Sequence, residues 1–265
     1  MNAVFDWRSA PKADFAVIGH PVSHSLSPRM HEAAYQELGL EYRYIAIDVP
    51  SGEVAVALDH LEQSGFRGVN VTVPHKEEAL AWATDVERFA ERVRSANTFL
   101  LKRRACINTD APGFLETLTR PPGKALMLGA GGSARAIALA LCDAGWELRL
   151  FNRTLERASA MFRELKLVGS VVGVPSARGC DLVVNTTSAS LQGDVIPIEW
   201  DGVHAGALAY DLMYADGPTP FLIDAATHGC ETRDGRSLLV AQGALAFEWW
   251  TGLTAPREAM ARAIV

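Results

Sequence analysis

The sequence predicts an α/β protein made of two domains. Short apolar runs alternate with amphipathic stretches along the 265 residues, the pattern of strands alternating with helices. At roughly 100–200 residues per domain, the length allows two compact units. A breaker cluster, Arg120-Pro121-Pro122-Gly123, falls near the middle of the chain, and a second strand–helix series follows it. We expect one domain at residues 1–112, completed by 238–265, and another at 113–237.

In the first half, strands and helices begin and end at residues that favour such boundaries. Ser27 is the expected N-cap of a first helix with Pro28 at its first position, Gly65 stops a second helix, and Pro74 halts a strand. The expected elements are strand Phe15–Ile18, helix Pro28–Leu38, strand Tyr42–Val49, helix Glu53–Ser64, strand Gly68–Val73 and a further candidate strand Ala96–Leu101.

The second half indicates a βαβαβ series, for which a parallel sheet with right-handed crossovers is the default. The tail then returns to helix. The expected elements are strand Ala125–Leu128, helix Ser133–Ala144, strand Glu147–Phe151, helix Leu155–Leu165, strands Val171–Val174, Asp181–Asn185 and Ala207–Tyr210, and tail helices Leu238–Trp250 and Pro256–Ile264.

Composition argues against several classes of function. The formal net charge is −6, which disfavours a broad phosphate-binding surface for nucleic acid. No apolar run reaches the roughly 18–20 residues of a membrane span, and the N-terminus lacks the apolar core of a secretory signal. The four cysteines lie far apart without a CxxC pair, as expected of reduced thiols in a cytoplasmic protein. We therefore expect neither a nucleic-acid nor a membrane partner.

A glycine-rich turn indicates a dinucleotide site. Gly129, Ala130, Gly131, Gly132, Ser133 and Ala134 fit G-x-G-x-x-A, after a buried strand and at the start of a helix. Gly129 would permit the tight turn, Gly131 a close approach of a pyrophosphate to the backbone, and Ala134 close packing of helix on strand. Free N–H groups at the helix N-terminus would bind the phosphates. The second domain is therefore predicted to be a Rossmann-type domain.

The residues after the next strand favour NADP over NAD. An NAD site usually has a carboxylate there for the ribose 2′-hydroxyl, whereas this chain has Asn152, Arg153 and Thr154, followed by Arg157. Guanidinium groups pair with a 2′-phosphate, which a carboxylate would repel. The alternative for both arginines is a solvated helix face.

Polar residues cluster at predicted strand ends in the first domain, where open α/β sheets bind ligands. Hydroxyls, amides, one lysine and one aspartate suit a small polyhydroxylated acid, and the absence of metal-ligand spacing predicts no metal site. In an extended segment the hydroxyls of Ser25 and Ser27 would point to one side, as two oxygens of a carboxylate require. The structural alternatives are a helix cap for Ser27 and Asp110 and an exposed helix start for Lys76. The cluster comprises His24, Ser25, Ser27, Thr72, Lys76, Asn97, Thr98, Asn108, Thr109 and Asp110.

Nearly the whole chain resembles the shikimate dehydrogenase family, in order. The stretches that carry the resemblance are GHPVSHSLSPRMH at 19–31, GVNVTVPHK at 68–76, ANT at 96–98, NTDAPGF at 108–114, LGAGGSARA at 128–136, NRT at 152–154, DLVVNTTSASL at 181–191, YDLMY at 210–214, TPFL at 219–222 and QGALAFEWWTG at 242–252.

This resemblance implies the reversible, NADPH-dependent reduction of 3-dehydroshikimate to shikimate, a step towards chorismate and the aromatic amino acids. It also implies roles by position. Ser25 and Ser27 would hold the substrate carboxylate, Tyr214 and Gln242 would make further substrate contacts, Thr72, Asn97 and Asp110 would surround the ring hydroxyls, and Lys76 would be catalytic. Gly129–Ala134 would bind the phosphates of NADP, and Asn152–Thr154 its 2′-phosphate.

The chemistry fits these roles. As hydride arrives, the carbonyl oxygen becomes an alkoxide that an ammonium such as Lys76 can stabilise and protonate, with Asp110 holding the lysine. Hydride transfer needs the two ligands in near contact, so the domains are expected to face each other across a cleft. The alternatives left open are a quinate/shikimate dehydrogenase of broader specificity and a non-catalytic NADP-binding sensor, and a homodimer is also left open.

Overall fold

The computed structural model describes residues 3–192, 194 and 196–265, and it confirms the α/β class. The chain forms two compact units. Unit 1 comprises Met1–Phe114 and Leu239–Val265, and unit 2 comprises Leu115–Leu238. Among the helices of the described residues, none combines the length and apolarity needed to cross a membrane.

The first 117 residues form seven strands and five helices. These are β1 (Val4–Asp6), β2 (Phe15–Gly19), α1 (Ser27–Glu37), β3 (Tyr44–Asp48), α2 (Val54–Gln63), β4 (Gly68–Val71), α3 (Lys76–Leu80), β5 (Asp85–Val86), α4 (Arg88–Val93), β6 (Thr98–Leu100), β7 (Ala105–Ile107) and α5 (Asp110–Thr117).

The seven strands form one sheet in the order β1-β3-β2-β4-β6-β7-β5. All neighbouring pairs are parallel except those of β6, which runs antiparallel to both β4 and β7. Strand β2 lies between β3 and β4 and is buried along its whole length. Its alternate residues enter two apolar cores, Ala16 and Ile18 on one face and Phe15 and Val17 on the other.

Unit 2 contains six strands in an all-parallel sheet of order β10-β9-β8-β11-β12-β13. This is the strand order of a doubly wound dinucleotide-binding fold, with the order reversing between β8 and β11. Its elements are β8 (Lys124–Leu128), α6 (Gly132–Asp143), β9 (Glu147–Phe151), α7 (Leu155–Glu164), β10 (Gly169–Val171), β11 (Leu182–Asn185), β12 (Leu208–Asp211), α8 (Pro220–Thr227) and β13 (Glu231–Arg233).

The chain ends in helices α9 (Arg236–Thr251) and α10 (Arg257–Arg262), of which α9 packs on the sheet of unit 1. Trp250 stacks on Phe15 with ring centroids 4.7 Å apart. Its indole N–H donates to the Phe99 carbonyl at 3.1 Å. A Cβ at Gly68 would lie 2.6 Å from the indole nitrogen, so glycine is required for this approach. These contacts fix the end of α9 against the sheet of unit 1.

Several elements differ from the sequence-based expectation. The third strand of unit 2 lies at Gly169–Val171 and not at Val171–Val174, because Gly169 at φ +131 packs directly against the backbone of Leu148. Helix α8 and strand β13 were not predicted, nor were the short edge strands β1 and β5. Strands of two or three residues carry too few alternating positions to reveal a period.

His31 is fully buried in unit 1. It stacks on Tyr44 with ring centroids 4.4 Å apart and an interplanar angle of 3°. Within the described part of the chain, neither of its ring nitrogens has a hydrogen-bond partner. Burial lowers the pKa of His31 from 6.5 to about 3, because an apolar environment disfavours the imidazolium.

We predict that His31→Phe reduces the acid sensitivity of the fold. The unfolded chain takes up a proton at this histidine below about pH 6.5, whereas the native state does so only near pH 3. The unfolding free energy therefore falls as the pH is lowered through this window. Between pH 7 and pH 4.5, the parent should lose about 2–3 kcal/mol more than the variant.

Urea unfolding of both proteins at the two pH values measures this difference. The unfolding free energies of the two proteins at pH 7 show how far the substitution itself changes packing. The change should be small, because a phenyl ring keeps the stack on Tyr44. Parallel losses in the two proteins would contradict a neutral His31 in the native state.

Candidate active site and nucleotide site

Lys76 and Asp110 form a buried ion pair in unit 1. Lys76 Nζ lies 2.5 Å from Asp110 Oδ2, and both side chains are less than one-tenth exposed. The exposed helix-start lysine that the sequence left open is therefore wrong. A buried charge requires a partner, and each residue of the pair supplies it for the other.

Helix α5 begins at Asp110. The side-chain oxygen of Asn108 accepts the N–H of Ala111 at 3.2 Å, which is the contact that an N-cap residue makes. Asp110 is therefore the first helical residue and not the cap position that the sequence left open. Its Oδ2 contacts Lys76 and its Oδ1 contacts Asn97.

Asn97 joins the ion pair to the neighbouring elements. Its amide nitrogen lies 2.9 Å from Asp110 Oδ1 and 2.9 Å from Thr109 Oγ1. Its amide oxygen accepts the N–H of Thr109 at 2.7 Å. The Ala96 N–H also donates to the Lys76 carbonyl at 3.2 Å. Both ends of the Asn97 amide are thus fixed, and so is the carboxylate that it contacts.

Helix α9 brings Gln242 to the same cluster. Its side-chain oxygen lies 3.3 Å from the amide nitrogen of Asn97. A Cβ at Gly113 would lie 2.8 Å from the Gln242 backbone nitrogen, so α9 approaches α5 closely only because residue 113 is glycine. Gln242 therefore lies beside Asn97, whose amide also contacts Asp110.

A buried amide on β4 supports the cluster and was not identified as a site residue from the sequence. Asn70 accepts the Tyr44 hydroxyl at 2.8 Å and donates to the Asn97 carbonyl at 3.1 Å and to Thr98 Oγ1 at 3.0 Å. A polar side chain in the middle of an apolar central strand was the signal that could have identified it, since buried amides need partners.

The segment of Ser25 and Ser27 is not extended. Leu26 has helical backbone angles and occupies the N-cap position, and α1 begins at Ser27. The prediction that Ser27 caps the helix is therefore wrong. The prediction that an extended segment points both serine hydroxyls to one side is wrong for the same reason. The hydroxyl of Ser25 accepts the Ser27 N–H at 3.3 Å, a local bond that turns the chain into the helix. Both serines are buried.

Thr72 follows β4 at the same edge of the sheet. Its N–H donates to the Ile18 carbonyl at 2.9 Å, and a Cβ at Gly19 would lie 2.5 Å from its methyl group. Thr72 is half-buried and packs against Gly19, the last residue of β2. The segment that carries Ser25 and Ser27 follows β2 along the chain.

His75 adjoins Lys76 in sequence but is oriented by the backbone. Its Nε2 lies 2.7 Å from the Val49 carbonyl, so Nε2 carries the proton. Burial lowers the pKa of His75, which favours the neutral ring. The contact gives this histidine a structural role.

In unit 2, the glycine-rich turn follows β8 and leads into α6. Gly129 has φ +113, and a Cβ there would lie 2.3 Å from Thr186 Oγ1. Gly131 occupies the N-cap position of α6. Apart from its own chain neighbours, a Cβ at Gly131 would meet no atom of the described residues within 4 Å. Ala134 is buried. The turn thus leads into a twelve-residue helix, with open space beside Gly131.

A pocket of about 650 Å³ lies at the carboxyl ends of β8, β9 and β11. Gly129, Asn152 and Arg153 line it together. Asn152 also donates to the Thr154 carbonyl at 2.8 Å, which fixes the turn into α7. Thr154 and Arg157 are exposed and do not line the pocket. Of the four residues predicted after β9, Asn152 and Arg153 therefore reach it.

The loop after β11 also lines this pocket, through Thr187, Ser188 and Ala189. Thr186 anchors the loop, because its N–H and hydroxyl both bond the Leu128 carbonyl, at 2.9 and 2.6 Å. The sequence analysis assigned this loop no role, although hydroxyl residues directly after a buried strand were the available signal. Tyr214, the remaining predicted substrate contact, is half-buried in unit 2 between β12 and α8.

Two further observations bear on the chemistry. Among the described residues, no group of three or more His, Cys, Asp or Glu could hold a metal ion. The four cysteines are free thiols, and burial raises the pKa of each, for Cys106 to about 12. Their thiolates are therefore disfavoured as nucleophiles.

Comparison with known proteins gives consistent matches. Residues 17–99 match the family model described as the shikimate dehydrogenase substrate binding domain. Residues 235–265 match that of the shikimate 5′-dehydrogenase C-terminal domain. The chain is 42% identical to the shikimate dehydrogenase (NADP(+)) of Moorella thermoacetica, over 94% of this chain and 91% of that protein. It is 44% identical to an enzyme of the same name from Thermus thermophilus, over 90% and 92%.

Solved structures give the same result. Shikimate 5-dehydrogenase from Thermus thermophilus, in complex with NADP(H) and shikimate, is 41% identical with a TM-score of 0.87, covering 95% of this chain and 98% of that one. Shikimate dehydrogenase from Aquifex aeolicus is 31% identical with a TM-score of 0.85, covering 94% and 96%.

Proposed function

The chain belongs to the shikimate dehydrogenase family, and we propose that it catalyses the reversible, NADPH-dependent reduction of 3-dehydroshikimate to shikimate. The observation that carries this proposal is the buried Lys76–Asp110 pair within the Asn97 network. The family is one of NADP-dependent oxidoreductases, and this pair is the acid–base group that its chemistry requires. A non-catalytic sensor on the same fold would need neither charge.

Unit 1 would bind the substrate. Ser25 and Ser27 are the proposed ligands of its carboxylate, and Thr72, Asn97 and Asp110 the proposed partners of its ring hydroxyls. Support comes from their common position, because the ends of β2, β4 and β7 and the start of the antiparallel β6 lie at one edge of the sheet. Gln242 adjoins this group through Asn97. Tyr214 is a further proposed substrate contact on the family resemblance alone.

Lys76 is the proposed proton donor. NADPH, when bound, supplies the hydride. As the carbonyl oxygen of the substrate gains negative charge, the ammonium of Lys76 stabilises it and transfers a proton. Asp110 holds Lys76 in place through the buried ion pair, because a buried ammonium needs a charged partner. In the reverse direction the neutral amine accepts the proton of the hydroxyl.

Unit 2 has the features that an NADP site needs. Open space beside Gly131 would admit a pyrophosphate to the N–H groups at the start of α6. Arg153 lies on the lining of the pocket, exposed, where a guanidinium can pair with a 2′-phosphate. The cofactor is therefore proposed to bind through Gly129–Ala134, Asn152 and Arg153.

The cellular setting is part of the proposal. Four free thiols support a reducing compartment, and we place the enzyme in the cytoplasm. The homodimer left open by the sequence stays a prediction that light scattering of the purified protein would test.

Turnover with shikimate and with quinate, each with NADP and NAD, tests the activity directly. The expected result is preferred oxidation of shikimate with NADP. Comparable turnover of quinate would favour the broader enzyme, and no turnover of either acid despite NADPH binding would favour the sensor.

Replacement of the lysine tests the mechanism. We expect Lys76→Ala to lower kcat by about 10²–10⁴-fold, the usual contribution of a general acid. Its dissociation constant for NADPH should stay that of the parent, because the cofactor residues lie in unit 2. Steady-state kinetics and a fluorescence titration with NADPH measure the two quantities.

The exposed Lys102 of unit 1 gives a matched control, since Lys102→Ala removes an equal charge outside the site. Thermal melting checks that Lys76→Ala is folded although Asp110 has lost its cationic partner. Turnover close to that of the parent would remove Lys76 from the mechanism.

Replacement of the arginine tests cofactor selection. Arg153→Ala should raise KM for NADP by about 10–100-fold, in the range of a lost hydrogen bond to a charged group. KM for NAD should change little, because NAD lacks the 2′-phosphate. Arg163→Ala, which removes an exposed guanidinium of α7 outside the pocket lining, is the control. Equal effects of Arg153→Ala on both cofactors would show that this residue does not read the phosphate.

A further inference from the structure

Unit 2 contains a fully buried carboxylate for which the catalytic mechanism has no use. Asp211 ends β12 and is 0% exposed. It accepts the side-chain amide of Asn185 at 3.1 Å, the N–H of Met213 at 3.0 Å and the hydroxyl of Thr219 at 2.6 Å. The hydroxyl of Ser190 also bonds to it.

These donors come from three separate segments. Asn185 and Ser190 belong to the end of β11 and the loop that follows, Met213 to the loop after β12, and Thr219 to the N-cap of α8. Burial raises the pKa of Asp211, and the hydrogen bonds oppose that rise. One carboxylate therefore ties the two loops at the carboxyl edge of the sheet to each other.

Asn185 extends the connection to the nucleotide pocket. Its amide oxygen accepts the N–H of Thr187 at 3.0 Å and the Thr187 hydroxyl at 2.7 Å. Its amide nitrogen donates to Ser190 at 2.8 Å as well as to Asp211. The loop of residues 186–190 thus folds around the Asn185 side chain. Thr187 lies on the pocket lining, with Ser188 and Ala189.

We propose that Asp211 and Asn185 are positioning residues of the nucleotide site, which hold the 186–190 loop in the shape that binds NADPH. Neither belongs to the described residues that line the pocket, so both act through the loop. The orientation of the Asn185 amide is decisive, because its oxygen faces the loop only while its nitrogen faces acceptors, which Asp211 and Ser190 supply. This inference rests on the proposed use of NADPH.

The test is NADPH affinity measured without substrate, by titration of cofactor fluorescence with the purified full-length protein. Asp211→Asn replaces one acceptor oxygen with an amide group that faces donors, and we expect the dissociation constant to rise about tenfold. Ser190→Ala removes a single hydroxyl from the same cluster and should raise it about threefold. In turnover assays, KM for NADP should rise in both while KM for shikimate stays that of the parent.

Asp224→Asn is the matched control. It makes the same substitution in the same unit, at a carboxylate that accepts the Trp200 indole at 2.7 Å and lies outside the pocket lining. It should leave NADPH affinity unchanged even where thermal melting shows lower stability. This separates a positioning role from a general loss of stability.

The inference is overturned if folded Asp211→Asn binds NADPH as tightly as the parent does. It is also overturned if Asp224→Asn loses as much NADPH affinity as Asp211→Asn. If Asp211→Asn does not fold, Ser190→Ala decides, and unchanged affinity there overturns it. A parent protein that binds no NADPH would instead contradict the proposed function.

Discussion

The constraint on which the substrate-binding unit depends is the burial of one ammonium and one carboxylate side by side. Removing Lys76 and Asp110 from water costs several kcal/mol per ion, which their attraction offsets only with good geometry and satisfied lone pairs. The second carboxylate oxygen is satisfied by Asn97, which Thr109 and Gln242 hold in turn. The polar network around the pair is thus a physical requirement of placing a charged acid–base group where water is excluded.

Sheet topology makes that network compact. In a purely parallel sheet only the carboxyl ends of strands would meet at this edge. Strand β6 runs the other way, with Thr98 opposite Asn70 on one side and Ile107 on the other. Asn97, which precedes β6, therefore reaches the same edge as Lys76 and Asp110. A reversed strand supplies a side chain that a parallel one would place at the far edge.

The antiparallel direction of β6 is also a feature of the site that the sequence could not predict. The class of the fold, most long elements and the clustering of Lys76, Asn97 and Asp110 follow from periodicity, breakers and strand ends. The direction of β6 does not, because an alternating pattern reads the same both ways. The start of α1 was expected at Pro28 with Ser27 as its cap, but α1 begins at Ser27, because a local bond to Ser25 turns the chain one residue earlier than capping preference indicates. Asn70 was overlooked because its partners are distant in sequence, and Asp211 because its connection to the pocket runs through Asn185, 26 residues away.

Each unit buries a carboxylate, but the two carboxylates have different kinds of partner. In unit 1 the buried charge is paired and belongs to the proposed reaction, so stability and activity depend on the same bond. In unit 2 the hydrogen bonds that Asp211 accepts come from neutral groups. The pocket it supports is lined by the turn at Gly129, by hydroxyl and apolar residues, and by two exposed charges of opposite sign, Arg153 and Asp194. A fixed anion close to the phosphates of a nucleotide would repel them unless its field is absorbed by local donors. Enclosing Asp211 in hydrogen bonds beneath the loop lets unit 2 use a buried carboxylate as a structural acceptor, while Arg153 and the turn at Gly129 remain on the pocket lining.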